Sequence, residues 1–95
     1  MSSLPKTTIG RAIGNQLIRS GTSIGANYRA ALRARSKIEF IAKLGIVIEE
    51  ADESEFWLEI IIESNLLKKE LVDPLLKETN ELIAIFVSTR KSSKL

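Results

Sequence analysis

Five carboxylates fall within seven residues: Glu49, Glu50, Asp52, Glu53 and Glu55. Paired carboxylates serve general acid–base chemistry, or hold two metal ions inside a helical bundle when histidines join them. The chain has no histidine and no cysteine, which removes the di-metal version, thiol and disulfide chemistry, and nearly all zinc and haem sites. On a helical wheel of about 100° per residue the five acids spread around most of the circumference and do not converge on one pocket. The expectation is therefore a protein with no catalytic residue, no metal and no cofactor, whose acids act electrostatically in water or at an interface.

The cations are better organised. Arg11, Asn15, Arg19, Arg29 and Arg33 fall within roughly 80° of one another on the same wheel, and Arg35 and Lys37 follow directly. Arginine presents a planar fork that matches phosphate, and such a row can track an RNA or DNA backbone with salt-sensitive affinity. Tyr28 sits on the opposite, apolar side with Ile13, Leu17, Ile24 and Leu32, so no stacking platform accompanies the arginines and binding would be largely independent of sequence. In a competing reading, the arginines pair with Glu50, Glu53 or Glu59 of a neighbour, as in the head-to-tail contact of a closed ring.

Beside the apolar line runs a strip of Gly10, Gly14, Gly21 and Gly25. Glycine inside a helix costs about 1 kcal/mol relative to alanine, and the close approach of another helix is the natural compensation. These four are candidate oligomer-interface residues. Alternatively, Ser20-Gly21-Thr22-Ser23 breaks the segment into two short helices.

These residues need three helices to position them in one helical domain, 1–95. Residues 1–7 read as a leader ended by Pro5, with Thr7 or Thr8 as the first cap. The first helix spans 8–34. Ser36 with Glu39 three residues on is a capping box that opens a second helix over 36–64. Phe40, Ile41, Leu44, Val47, Ile48, Ala51, Leu58, Ile62 and Leu66 form its core stripe. Ile46, Trp57 and Ile61 lie on its polar side and, with Glu50 and Glu53, make a second candidate interface; the bland alternative is that Trp57 covers a helix end within one chain. Asn65 is a C-cap candidate. Asp73-Pro74 signals a helix start, and a start near Lys69 also tolerates the proline, giving a third helix over 69–91. Leu71, Val72, Leu75, Leu76, Leu82, Ile83 and Phe86 are its expected buried side, and the basic end leads into a tail at 92–95.

At 95 residues with a net charge of +2, the chain is near the size where one core gives only modest stability and association is a common remedy. The small net charge hides segregation: +7 over residues 1–48, −8 over 49–81 and +3 over 82–95. This suggests that basic and acidic helices meet, within one chain or between two. No signal-like or membrane-spanning stretch is present, which leads to the expectation of a cytoplasmic protein.

RSGTSIGANYR at 19–29, RSKIEFIAKL at 35–44, EEADESEFWLE at 49–59 and PLLKETNELIAI at 74–85 closely resemble the bacterial four-helix-bundle proteins first described from reading frames inside intervening sequences of 23S rRNA genes. The resemblance implies an all-α, antiparallel up-and-down bundle, commonly a homopentamer. A relative in diversity-generating retroelements is an accessory factor that binds nucleic acid and reverse transcriptase, whereas most members have no assigned activity. Against the family pattern, this chain begins at the loop that follows the family's first helix, so three helices are expected here. The reading that results is a non-enzymatic homo-oligomer that binds nucleic acid or a nucleoprotein, or else a structural adaptor between proteins.

Overall fold

The computed structural model describes residues 4–94. It contains three helices: α1 (Thr8–Leu32), α2 (Lys37–Glu63) and α3 (Lys69–Ser93). Short turns reverse the chain twice, so α2 runs antiparallel to both neighbours and packs against each. The all-α, up-and-down bundle expected from the sequence is what forms. Its radius of gyration, 14.9 Å, exceeds the roughly 12 Å of a compact domain of this length, because three long helices make a rod of 45 × 20 × 14 Å.

Local chemistry sets each boundary. The Thr7 hydroxyl accepts the Gly10 N–H at 3.0 Å and caps α1. α1 is continuous through Ser20–Ser23, so the break does not occur; Ser20 turns its hydroxyl inward rather than capping a new helix. α1 ends at Leu32, two residues short of the expected end, with Arg33 as its C-cap. The Ser36 hydroxyl accepts the Glu39 N–H at 3.0 Å, the capping arrangement that redirects the chain into α2. α2 ends at Glu63 with Ser64, not the expected Asn65, as its C-cap, and Asn65 follows in the left-handed region, φ 55°. Leu66 N–H returns to the Ile61 carbonyl and Asn65 N–H to that of Ile62, both at 3.1 Å, a Schellman closure. α3 starts at Lys69, not at Asp73-Pro74. Pro74 then lies in the second turn and forfeits only the bond to the Glu70 carbonyl, on an exposed residue that water can serve.

Two apolar clusters fill the rod end to end. At one end Leu4, Ile13, Leu58, Ile61 and Val72 pack with Trp57 and Leu76 at their edge. At the other, Leu44, Val47, Ile48 and Phe86 pack with Ile24, Phe40 and Val87. Leu4, in the leader, is a core residue that no pattern in the sequence singled out. Between the clusters the Ser20 and Ser54 hydroxyls bond at 2.8 Å in a fully buried crossing of α1 and α2.

The buried arc of α2 is wider than the expected stripe because two helices cover it. Ser54 and Ile61 join it, whereas Phe40, Ile41, Ile62 and Leu66 are only half-buried. α3 departs further. Of its expected buried side only Val72 and Phe86 are buried, while Leu71, Leu75 and Leu82 are exposed, as is Ile85. Within the described residues α3 has α2 as its only backbone neighbour, so a second apolar strip stays uncovered.

Candidate functional site

The basic residues of α1 divide into two groups. Arg19 leans toward α2, where its guanidinium pairs with Glu50 at 3.3 Å and with Glu53. Glu53 also accepts the Trp57 indole N–H at 3.3 Å. Arg19 thus raises its own pKa through the Glu53 bond, and the Arg19 and Trp57 bonds hold the Glu53 carboxyl below its usual range. The expectation that Arg19 would reach a neighbour's acids is corrected: Glu50 and Glu53 lie one helix away in the same chain, 31 and 34 residues on.

Arg11, Asn15, Arg29 and Arg33 are exposed on the outer side of α1, opposite the buried line of Ile13, Ser20 and Ala31. Among the described residues no carboxylate forms an ion pair with Arg11, Arg29 or Arg33. From Arg11 to Arg33 this ridge is about 33 Å long. Arg35 and Lys37 continue it around the turn, both exposed, with the Arg35 N–H directed to Glu39 at 3.5 Å.

The glycines also separate. A Cβ on Gly10 would collide with the Pro5 carbonyl oxygen, so this buried glycine is required by the docked leader rather than by a partner helix. Gly14 is buried as well. Gly21 and Gly25 are exposed, and a Cβ on either would meet nothing within 4 Å. The α1–α2 crossing carries instead the buried Ser20 and Ser54 pair. Ile61 is corrected too: it is wholly buried in the chain's own core and offers nothing to a partner. Trp57 is half-buried against the leader-end cluster, with the Phe56 ring edge-on to it at 5.0 Å. Ile46 stands near Glu50 on the same outer face, 37% exposed.

Sequence reasoning missed the open strip of Leu71, Leu75, Leu82 and Ile85. Leu71, Leu75 and Leu82 are expected as core from their spacing and Ile85 is not singled out, since periodicity reports an apolar face and not what covers it. Glu55 is the other unforeseen feature: burial first, then Glu59 and Asp52, pushes its carboxyl up. Among the described residues no group of acids could hold a metal ion, and no helix is long and apolar enough to cross a membrane.

Comparison with known proteins agrees with this architecture. The crystal structure of a protein of unknown function from the S23 ribosomal protein family of Bacteroides thetaiotaomicron superposes with a TM-score of 0.81 at 39% identity, covering 83% of this chain and 73% of that one. No curated protein is significantly similar. The 23S rRNA-intervening sequence protein family matches residues 2–88. With that span and this bundle, the chain belongs to the 23S rRNA-intervening sequence protein family.

Proposed function

We propose that this protein is a non-enzymatic, cytoplasmic homo-oligomer, a pentamer as its family resemblance implies, that binds nucleic acid or a nucleoprotein through its basic face. The observation that carries the reading is the division among the arginines. Arg19 is consumed by Glu50 and Glu53, whereas Arg11, Arg29 and Arg33 stand exposed without an acidic partner among the described residues. Unpaired arginine forks on a rigid helix suit phosphate, and repetition in an oligomer multiplies a weak contact. Association is supported by the exposed Leu71, Leu75, Leu82 and Ile85 and by the open space over Gly21 and Gly25, since apolar surface of this kind marks contact sites. The same strip supports the second reading, an adaptor between proteins with no nucleic-acid role.

Retention on immobilised RNA and DNA across a salt series tests the proposal. The native chain should bind and release with rising salt, and the double variant Arg29→Glu, Arg33→Glu should lose affinity about tenfold or more at low salt. Equal retention of both proteins removes nucleic acid from the reading and leaves the adaptor. Light scattering at micromolar concentration checks assembly, and a stable monomer contradicts it.

A further inference from the structure

The antiparallel fold gathers charges that lie far apart in sequence. The C-terminal half of α1, the N-terminal half of α2 and the C-terminal half of α3 share one end of the rod, where Tyr28 and Phe86 meet with ring centroids 5.6 Å apart and Leu44, Val47 and Ile48 pack with Phe86. Residues 22–48 and 82–94 therefore form one pole, with eight Lys/Arg against Glu39 alone, a net +7. The opposite pole, residues 4–21 and 49–81, carries six Lys/Arg against eleven carboxylates, a net −5.

Helix dipoles explain only part of this arrangement. Arg29, Arg90 and Lys91 do lie in last turns, where cations are favoured. In α2, Glu39 in the first turn accords with its dipole, whereas Arg35 and Lys37 at its start and Glu59 and Glu63 in its last turns, with no basic residue there, run against it. A like-charged end on an exposed surface costs the fold little and is complementary to an external polyanion.

We infer that nucleic acid docks end-on, across a basic cap formed by the α1–α2 turn with Arg29, Arg33 and Arg35 and the last turns of α3 with Arg90, Lys91 and Lys94. This inference rests on the nucleic-acid reading above and replaces its linear ridge with an end face, which adds α3 and leaves out Arg11. The rod's cross-section is 20 × 14 Å, and 20 Å of duplex carries about twelve phosphate charges at one per roughly 1.7 Å, more than the six cations of the cap. α3 remains helical to Ser93, so its cations are held in place, and Arg90 is half-buried against the bundle.

Fluorescence anisotropy of the full chain with a short RNA duplex and a single-stranded RNA of equal length, over a salt series, tests the cap. Lys91→Gln, Lys94→Gln alters only exposed positions and preserves the fold; Arg90→Glu, Lys91→Glu is the stronger variant, with circular dichroism as its folding control. Both should weaken binding, the stronger by about tenfold or more, and lower the log–log salt slope by about 0.9 per lost phosphate contact. Arg11→Glu should leave affinity within about twofold. Loss with Arg11→Glu equal to that with Arg90→Glu, Lys91→Glu overturns the cap and restores the ridge. Unchanged RNA binding with diminished self-association in the α3 variants overturns it in favour of a contact between the basic and acidic poles of two copies. Absence of RNA binding by the native chain itself is the failure of the parent reading.

Discussion

The two ends of the rod are built alike inside and oppositely outside. The leader end closes around Ile13, Leu58, Ile61 and Val72, the turn end around Leu44, Val47, Ile48 and Phe86. Both use branched aliphatic side chains from all three helices, and neither leaves a buried side-chain polar atom unpartnered among the described residues. Yet one end carries nearly all the surface acids and the other an excess of cations. Packing therefore does not require the segregation, and surface charge contributes little to the stability of an exposed helix face. The difference teaches that the packed core and the surface charge pattern are set by separate residue sets, even on a single helix such as α1.

The sharpest way to break that comparison is to hollow out each end in turn. Leu44→Ala and Ile61→Ala should each cost about 2–5 kcal/mol, because both side chains are wholly buried; urea denaturation should give similar losses at the two ends. A negligible loss for Ile61→Ala would return that residue to an exterior strip. A smaller effect comes from the glycines. Gly10→Ala should destabilise by about 1–3 kcal/mol, since the Pro5 carbonyl must move. Gly21→Ala and Gly25→Ala should each raise the thermal midpoint of the dissociated chain, by up to about 1 kcal/mol of helix propensity. If those two glycines face another subunit, the same variants should also lower the mass seen by light scattering.

The smallest effects lie in the acids and carry opposite signs. Glu53, held down by Arg19 and Trp57, favours the folded state above the ordinary carboxylate range, and that contribution is lost as pH falls through its lowered value. Glu55, pushed up by burial and by Glu59 and Asp52, opposes the folded state at neutral pH and is relieved as pH falls through its raised value. Glu53→Gln should therefore be less stable than the native chain at pH 7, and Glu55→Gln more stable. Thermal melts of both should converge on the native curve in acid.

Much of the bundle was legible because its signals are local. Thr7, Ser36 with Glu39, and Asn65 each act within a turn of themselves, and the helices begin and end beside them. What could not be read was which apolar faces find cover. Leu71 and Leu82 belong to the same broad apolar side of α3 as Val72 and Phe86, and only the position of α2 distinguishes them. Leu4 was invisible for the converse reason, as one apolar residue in a polar leader has no period. The basic site was partly legible. The arginine row is visible in the sequence, but a wheel treats one helix at a time, so it sets Arg19 with Arg29 and carries no information on α3, whose Phe86 meets Tyr28.

The hydroxyl pair at the waist of the rod has a mechanical consequence. If α1 slid one turn past α2, the buried Ser54 hydroxyl would lose its Ser20 partner at about 1–3 kcal/mol, Ser20 keeping only its bond to the Leu17 carbonyl, and the Arg19 clasp would lose its acids as well. The first two helices are thus keyed to a single register.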